Sequence, residues 1–162
     1  MHIVDEKEAG MPRVEADVET TLSPERVREA LLDFSDRRPE IWTGLAGEMY
    51  EVYSVGETSA DVREGTKLPG KMIWAKERYD WSSPDTVRWT VVESNFCAPG
   101  SYVAATMHAR DDGGTRVHVV WERTGTTLLG RFLIRMISVM RGKPVASSLR
   151  GAFDRLEKEG AG

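Results

Sequence analysis

Only one cysteine, Cys97, stands among the 162 residues, so no disulfide can form within the chain and stability must come from an ordinary packed core. That scarcity fits a reducing compartment. The opening segment MHIVDEKEAG is acidic and lacks the apolar run of a secretion signal, so a cytoplasmic location is expected. Long apolar runs are missing too. The longest, TTLLGRFLIRMISVM, is interrupted by Arg131 and Arg135, so no stable membrane insertion is expected. Positive charge is not in surplus: the net of −4 argues against general nucleic-acid binding.

The usual signatures of reaction chemistry are absent as well. The three histidines, at 2, 108 and 118, have no metal-ligand spacing, and there is no H-E-x-x-H, cysteine pair or carboxylate cluster. No metal and no cofactor is therefore expected. GTTLLGR lacks the lysine and spacing of a phosphate loop, and neither TSADV nor PGSYV is a nucleophile elbow. Cys97 lies between Phe96 and Ala98 with no basic neighbour in sequence, which suits a small buried thiol better than a nucleophile.

What is present reads as one domain, with 1–11 a flexible lead, 12–158 the folded unit and 159–162 a tail. RVEADVETTL alternates Val14, Ala16 and Val18 with acids, the pattern of a strand with one wet face. SPERVREALLDF opens with Ser23 as a helix cap and Pro24 at the first helical position. DRRPEIWTGLAG reads as a second short helix or turn. About six strands follow, separated by Gly, Pro, Asp and Ser. The chain then ends in a long helical region whose stripe runs through Leu129, Phe132, Leu133, Met136, Ile137 and Met140, then Val145, Leu149, Ala152, Phe153 and Leu156. Pro144 should kink or break it.

This order, with SPERVREALLDFSDRRPEIW early and DDGGTRVHVVWE before the terminal helix, resembles the START/Bet v 1-like (SRPBCC) superfamily, and within it the polyketide cyclase/dehydrase branch. The resemblance implies an α+β helix-grip fold: a seven-stranded curved antiparallel sheet, order β-α-α-β6-α, wrapped around a long C-terminal helix with a cavity between them. It implies a small hydrophobic partner. The group ranges from ligand carriers to aromatases and cyclases, and fold alone does not choose among them.

Strand parity nominates the cavity lining. Val117, Val119 and Trp121 form one inward face, and Val87, Trp89 and Val91 another. A turn of two or four residues in ARDDGGTR would turn Tyr102, Ala104, Thr106 and His108 inward beside them, while a three-residue loop would reverse this. His118 would then face outward. In KMIWAKERYDW either face carries a charge at its middle, so its orientation stays open. Phe132, Met136 and Met140 would form a lid from the helix, and Trp42 could close the mouth. The candidate ligand-binding residues are therefore Trp89, Tyr102, Thr106, His108, Trp121, Phe132, Met136 and Met140.

The expected function is binding of a small hydrophobic molecule, aromatic, polyketide-like or lipid-like. The alternative is an aromatase/cyclase acting on a poly-β-ketone, with Tyr102 and His108 as acid/base groups. A third is an interaction module: residues 128–158 carry seven Lys/Arg against two acids, which is either a solvated helix face or a surface for an anionic membrane or acidic partner. Sequence sets neither the ligand nor the oligomeric state.

Overall fold

The computed structural model describes residues 13–161, so the expected flexible lead at 1–11 lies outside the described residues. Strand β1 (Arg13–Thr20) is followed by helices α1 (Pro24–Leu31) and α2 (Arg38–Ile41) and a 3-10 turn (Gly47–Met49). Six strands come next: β2 (Glu51–Val55), β3 (Ser59–Leu68), β4 (Lys71–Asp80), β5 (Thr86–Ser94), β6 (Tyr102–Ala109) and β7 (Thr115–Glu122). Helices α3 (Leu128–Val139) and α4 (Lys143–Ala161) complete the chain.

The seven strands form one sheet in the order β1-β7-β6-β5-β4-β3-β2, with every pair antiparallel. The first strand therefore lies beside the last. Paired residues share a face, so the register propagates one inner surface across the sheet: Val14 opposite Trp121, Trp121 opposite Val103, Val103 opposite Trp89, Trp89 opposite Tyr79, Tyr79 opposite Ala60. A bulge between β4 and β5 beside Lys76/Glu77 bends the sheet. α4 lays Leu149, Ala152, Phe153 and Leu156 into that surface, and Phe153 is completely buried. Truncating a side chain so enclosed costs about 3–5 kcal/mol. This is the helix-grip fold that the sequence leads one to expect.

Ser23 caps α1 as expected, its hydroxyl accepting from the Arg26 amide at 3.2 Å. The terminal helical region breaks ahead of Pro144, not at it. Arg141 (φ 55°) and Gly142 (φ 76°) take left-handed conformations, and Pro144 sits in the first turn of α4, where its missing N–H costs nothing. A Cβ at Gly142 would run into the Val14 side chain, so glycine serves both the turn and the close approach to β1. α4 continues to Ala161, past the expected end of the folded unit at 158. No described helix is long and apolar enough to cross a membrane.

Candidate functional site

Between the sheet and α4 lies a cavity of about 340 Å³, partly open to solvent. Its walls are largely apolar, with Trp42, Trp74, Trp89 and Trp121 among them. Gly44 and Ser148, the exposed members of the lining, mark its mouth between the segment after α2 and the start of α4. Five ionisable residues also reach the lining: Arg38, Glu64, Glu77, Tyr79 and Arg123. They form two buried clusters.

The first joins α2 to the sheet. Arg38 is 3% exposed; its Nε donates to Glu64 Oε2 at 2.9 Å and its Nη2 to the Tyr79 hydroxyl at 2.9 Å. Its Nη1 donates to the carbonyls of Leu31 and Asp33 at 3.0 and 2.9 Å, which satisfies carbonyls left open where α1 ends. The Tyr79 hydroxyl donates to Glu64 Oε1, closing a three-membered ring of hydrogen bonds. Burial alone would pull the Arg38 guanidinium toward neutrality, but Glu64 and Tyr79 more than offset it and hold it charged. Burial, reinforced by the Glu64 charge, pushes the Tyr79 phenol well above its ordinary range. The Tyr79 ring stacks on Trp89 at 5.3 Å between centroids and meets Phe34 edge-on at 5.0 Å.

In the second, Arg123 Nη2 donates to Glu77 Oε2 at 3.2 Å, and Nη1 lies 3.6 Å from Cys97 Sγ. Burial raises the Glu77 carboxyl to about 7, against the pull of Arg123 and helped by the Glu64 charge. Glu77 and Tyr79 stand two positions apart on β4 and so project from the same face. A carboxyl near neutrality beside a phenol and two guanidinium groups can accept or return a proton and can hold an oxygen bearing negative charge. Near the first cluster, the Tyr50 hydroxyl is buried with no hydrogen-bond partner among the described residues, and burial lifts it to about 12.

Of the residues expected to line the cavity, some face it and some do not. Trp89 and Trp121 face the cavity, and Trp42 reaches it. Tyr102, Thr106 and His108 do not. The β6–β7 loop is residues 110–114, an odd number, because Ala109 pairs with Thr115 around Gly113 at φ 87°. The odd count sends Val103, Ala105 and Met107 inward and turns the alternate residues out. Tyr102 lies under Arg88, whose guanidinium is 3.8 Å from the ring centroid. The Thr106 hydroxyl is 3.0 Å from that of Thr86, and His108 is exposed. Acid/base roles for Tyr102 and His108 in the cavity are excluded by that placement. His118 faces outward as expected, 2.9 Å from Asp17 and 3.2 Å from Glu15.

The lid is also corrected. Phe132, Met136 and Met140 are exposed, at 64%, 41% and 43%. Because α3 is apolar around most of its circumference, periodicity did not fix which side packs. Gly130 and Ile134 are its buried residues, and Ile137 reaches the cavity. Gly130 lets the helix approach the Phe96 carbonyl closely, which sets the rotation.

The five ionisable residues of the site were missing from the expected lining, although the sequence carried a trace of some. Glu64 continues the Ala60–Val62 alternation, and Arg123 continues Val117–Val119–Trp121. A charge at the next inward position of an apolar series is the signal. The face of β4 left open by pattern is settled by Ala75, Glu77 and Tyr79, which are buried, whereas Arg78 points out to Asp61 at 2.9 Å.

The comparisons with known proteins agree with this architecture. A family model described as polyketide cyclase / dehydrase and lipid transport matches residues 11–160. No curated protein matches the chain. A solved structure from Thermus thermophilus is similar at TM-score 0.74 and 21% identity, covering 91% of this chain and 99% of that one. The Zhui aromatase/cyclase from a Streptomyces species is similar at 0.72 and 14%, covering 90% and 94%. A START superfamily protein from Mycobacterium smegmatis is similar at 0.72 and 11%, covering 89% and 98%. With a family match spanning nearly the whole folded chain, the chain belongs to the polyketide cyclase / dehydrase and lipid transport family, and its fold is that of these solved structures.

Proposed function

We propose that this protein binds a small, mostly apolar molecule carrying a carbonyl or phenol, aromatic or polyketide-like in character, in the cavity between sheet and α4. The observation that carries the reading is the meeting of indole and aliphatic walls with two buried guanidinium–carboxylate clusters in one 340 Å³ space. Such volumes fall in the range of about 300–1,000 Å³ usual for small-molecule sites. Trp89 and Trp121 would contact the apolar body, and Arg38, Tyr79 and Arg123 would orient its oxygen atoms.

The test is a titration with an apolar fluorophore while tryptophan emission is followed. Saturable binding with a change in emission is expected, and Ser148→Trp at the mouth should weaken it while the fold is retained. Unchanged emission together with no saturable binding would sink the reading.

A second reading, an aromatase/cyclase on a poly-β-ketone, is favoured by one feature: Glu77, raised to about 7, shares the cavity face of β4 with Tyr79. Glu77 would take a proton from the carbon between two carbonyls. A guanidinium would hold the enolate oxygen, and attack of the carbon on a second carbonyl would form the ring bond, with the proton returned to the new alkoxide. Incubation with a poly-β-ketone thioester should then give a cyclised product that Glu77→Gln abolishes without loss of fluorophore binding. Product distribution identical to that without protein would remove this reading and leave the first.

A further inference from the structure

Five of the eight large apolar residues most exposed among the described residues sit in one place: Leu128, Phe132, Met136 and Val139 on α3, and Met140 at its C-cap. At 100° per residue the four helical ones fall within a single outward arc, opposite Gly130, Ile134 and Ile137. Arg131 and Arg135 line one border of that arc, and Arg141 and Lys143 follow at the break before α4; all four are exposed. No acidic residue occurs between Glu122 and Asp154, apart from Glu122 itself, although the chain as a whole carries −4.

We propose that the outer face of α3 docks on an anionic phospholipid surface, with Leu128, Phe132, Met136 and Val139 at acyl-chain level and the flanking cations among the headgroups. An in-plane helix with an apolar face and a cationic border is what such a surface holds, through apolar burial together with attraction to the headgroup charge. Charge complementarity selects this occupant over a second copy of the chain, because two such faces would bring like charges together. Contact is peripheral and reversible: no described helix can span a bilayer. α3 and the start of α4 also supply Ile137, Pro144 and Val145 to the cavity, so docking would hold the cavity wall against the lipid surface. The inference is independent of what the cavity binds.

Co-sedimentation with vesicles tests it. Binding is expected to vesicles of equal parts phosphatidylcholine and phosphatidylglycerol, to weaken as salt is raised, and to be absent with phosphatidylcholine alone. Arg131→Ala with Arg135→Ala should reduce the partition about 25-fold, at roughly fivefold per cation. Phe132→Ser with Val139→Ser should reduce it similarly while circular dichroism and fluorophore binding stay unchanged. Failure to bind the anionic vesicles would overturn the proposal, as would binding that neither double variant alters. Two further results would also overturn it: a concentration-dependent dimer abolished by the same variants, assigning the face to a second copy, or retention by polyglutamate without vesicle binding, assigning it to an acidic protein.

Discussion

Arg38 and Glu64, 26 positions apart in sequence, meet at 2.9 Å where neither side chain is more than 9% exposed. One comes from a four-residue helix and the other from the middle of a strand, so their pairing fastens the segment after α1 onto the sheet beside the cavity. A pair this deeply buried is weak support for stability as a whole, since both charges were stripped of water. Its removal on one side only is another matter.

Arg38→Met should destabilise the protein by about 3–5 kcal/mol, because Glu64 is then left buried without its cation, with only the Tyr79 hydroxyl donating to it, and the Leu31 and Asp33 carbonyls lose their donor. Arg38→Met with Glu64→Leu should recover part of the loss. Urea unfolding midpoints check both, and equal stability of the two variants would contradict the pairing energetics.

Tyr79 and Tyr50, whose hydroxyls are both buried, should respond in opposite ways to loss of that group. Tyr79→Phe breaks a closed hydrogen-bond ring with a charged carboxylate and should cost about 1.5–3 kcal/mol. Tyr50→Phe removes an oxygen with no partner among the described residues and should be neutral or slightly stabilising. Thermal unfolding of the two variants side by side reads the difference.

Glu77 makes stability depend on pH in the direction opposite to most carboxylates. Its folded value of about 7 lies above the ordinary 4.5, so between the two the folded protein holds a proton that the unfolded chain has released. Its contribution is therefore fully present below the lower value and is lost as pH climbs through the upper one, by on the order of 3 kcal/mol. Glu77→Gln should flatten that slope, as seen in urea midpoints at about pH 5 and about pH 8.

Neither outward histidine should matter to the cavity. His108→Ala and His118→Ala should bind an apolar fluorophore as the unmodified protein does. The hydrogen bond of His118 to Asp17, aided by Glu15, raises that ring above the ordinary 6.5. Its small stabilising contribution is complete below that ordinary value and is lost as pH rises through the raised one. Proton NMR of the His118 ring checks this: a midpoint at or below 6.5 would count against the Asp17 contact.

Sequence pattern reached an antiparallel sheet with a helix laid across it, because a run of strands and a striped terminal helix leave few ways to pack, and the family resemblance supplied the seven-stranded grip. It reached Trp89 and Trp121 for the same reason. It stopped at Tyr102, Thr106 and His108 because their orientation hung on the parity of one loop, and DDGG chemistry suits several loop lengths. It stopped at α3 because a helix apolar on nearly every side gives no direction. The polar clusters were harder still. Arg38 is in a short polar stretch that reads as surface, and its partners lie on β3 and β4, so only the assembled sheet brings them together.

The pairing of β1 with β7 also governs when this fold can exist. Val14 and Val18 of β1 find Trp121 and Val117 only after roughly a hundred further residues have been made. Until then they have nothing to cover them, while α4, which packs on β1, is the last described element to leave the ribosome. Contacts so distant along the chain are slow to form. The grip therefore closes only once α4 has been made, and a nascent chain still lacking that helix exposes the very surface that later becomes the cavity floor.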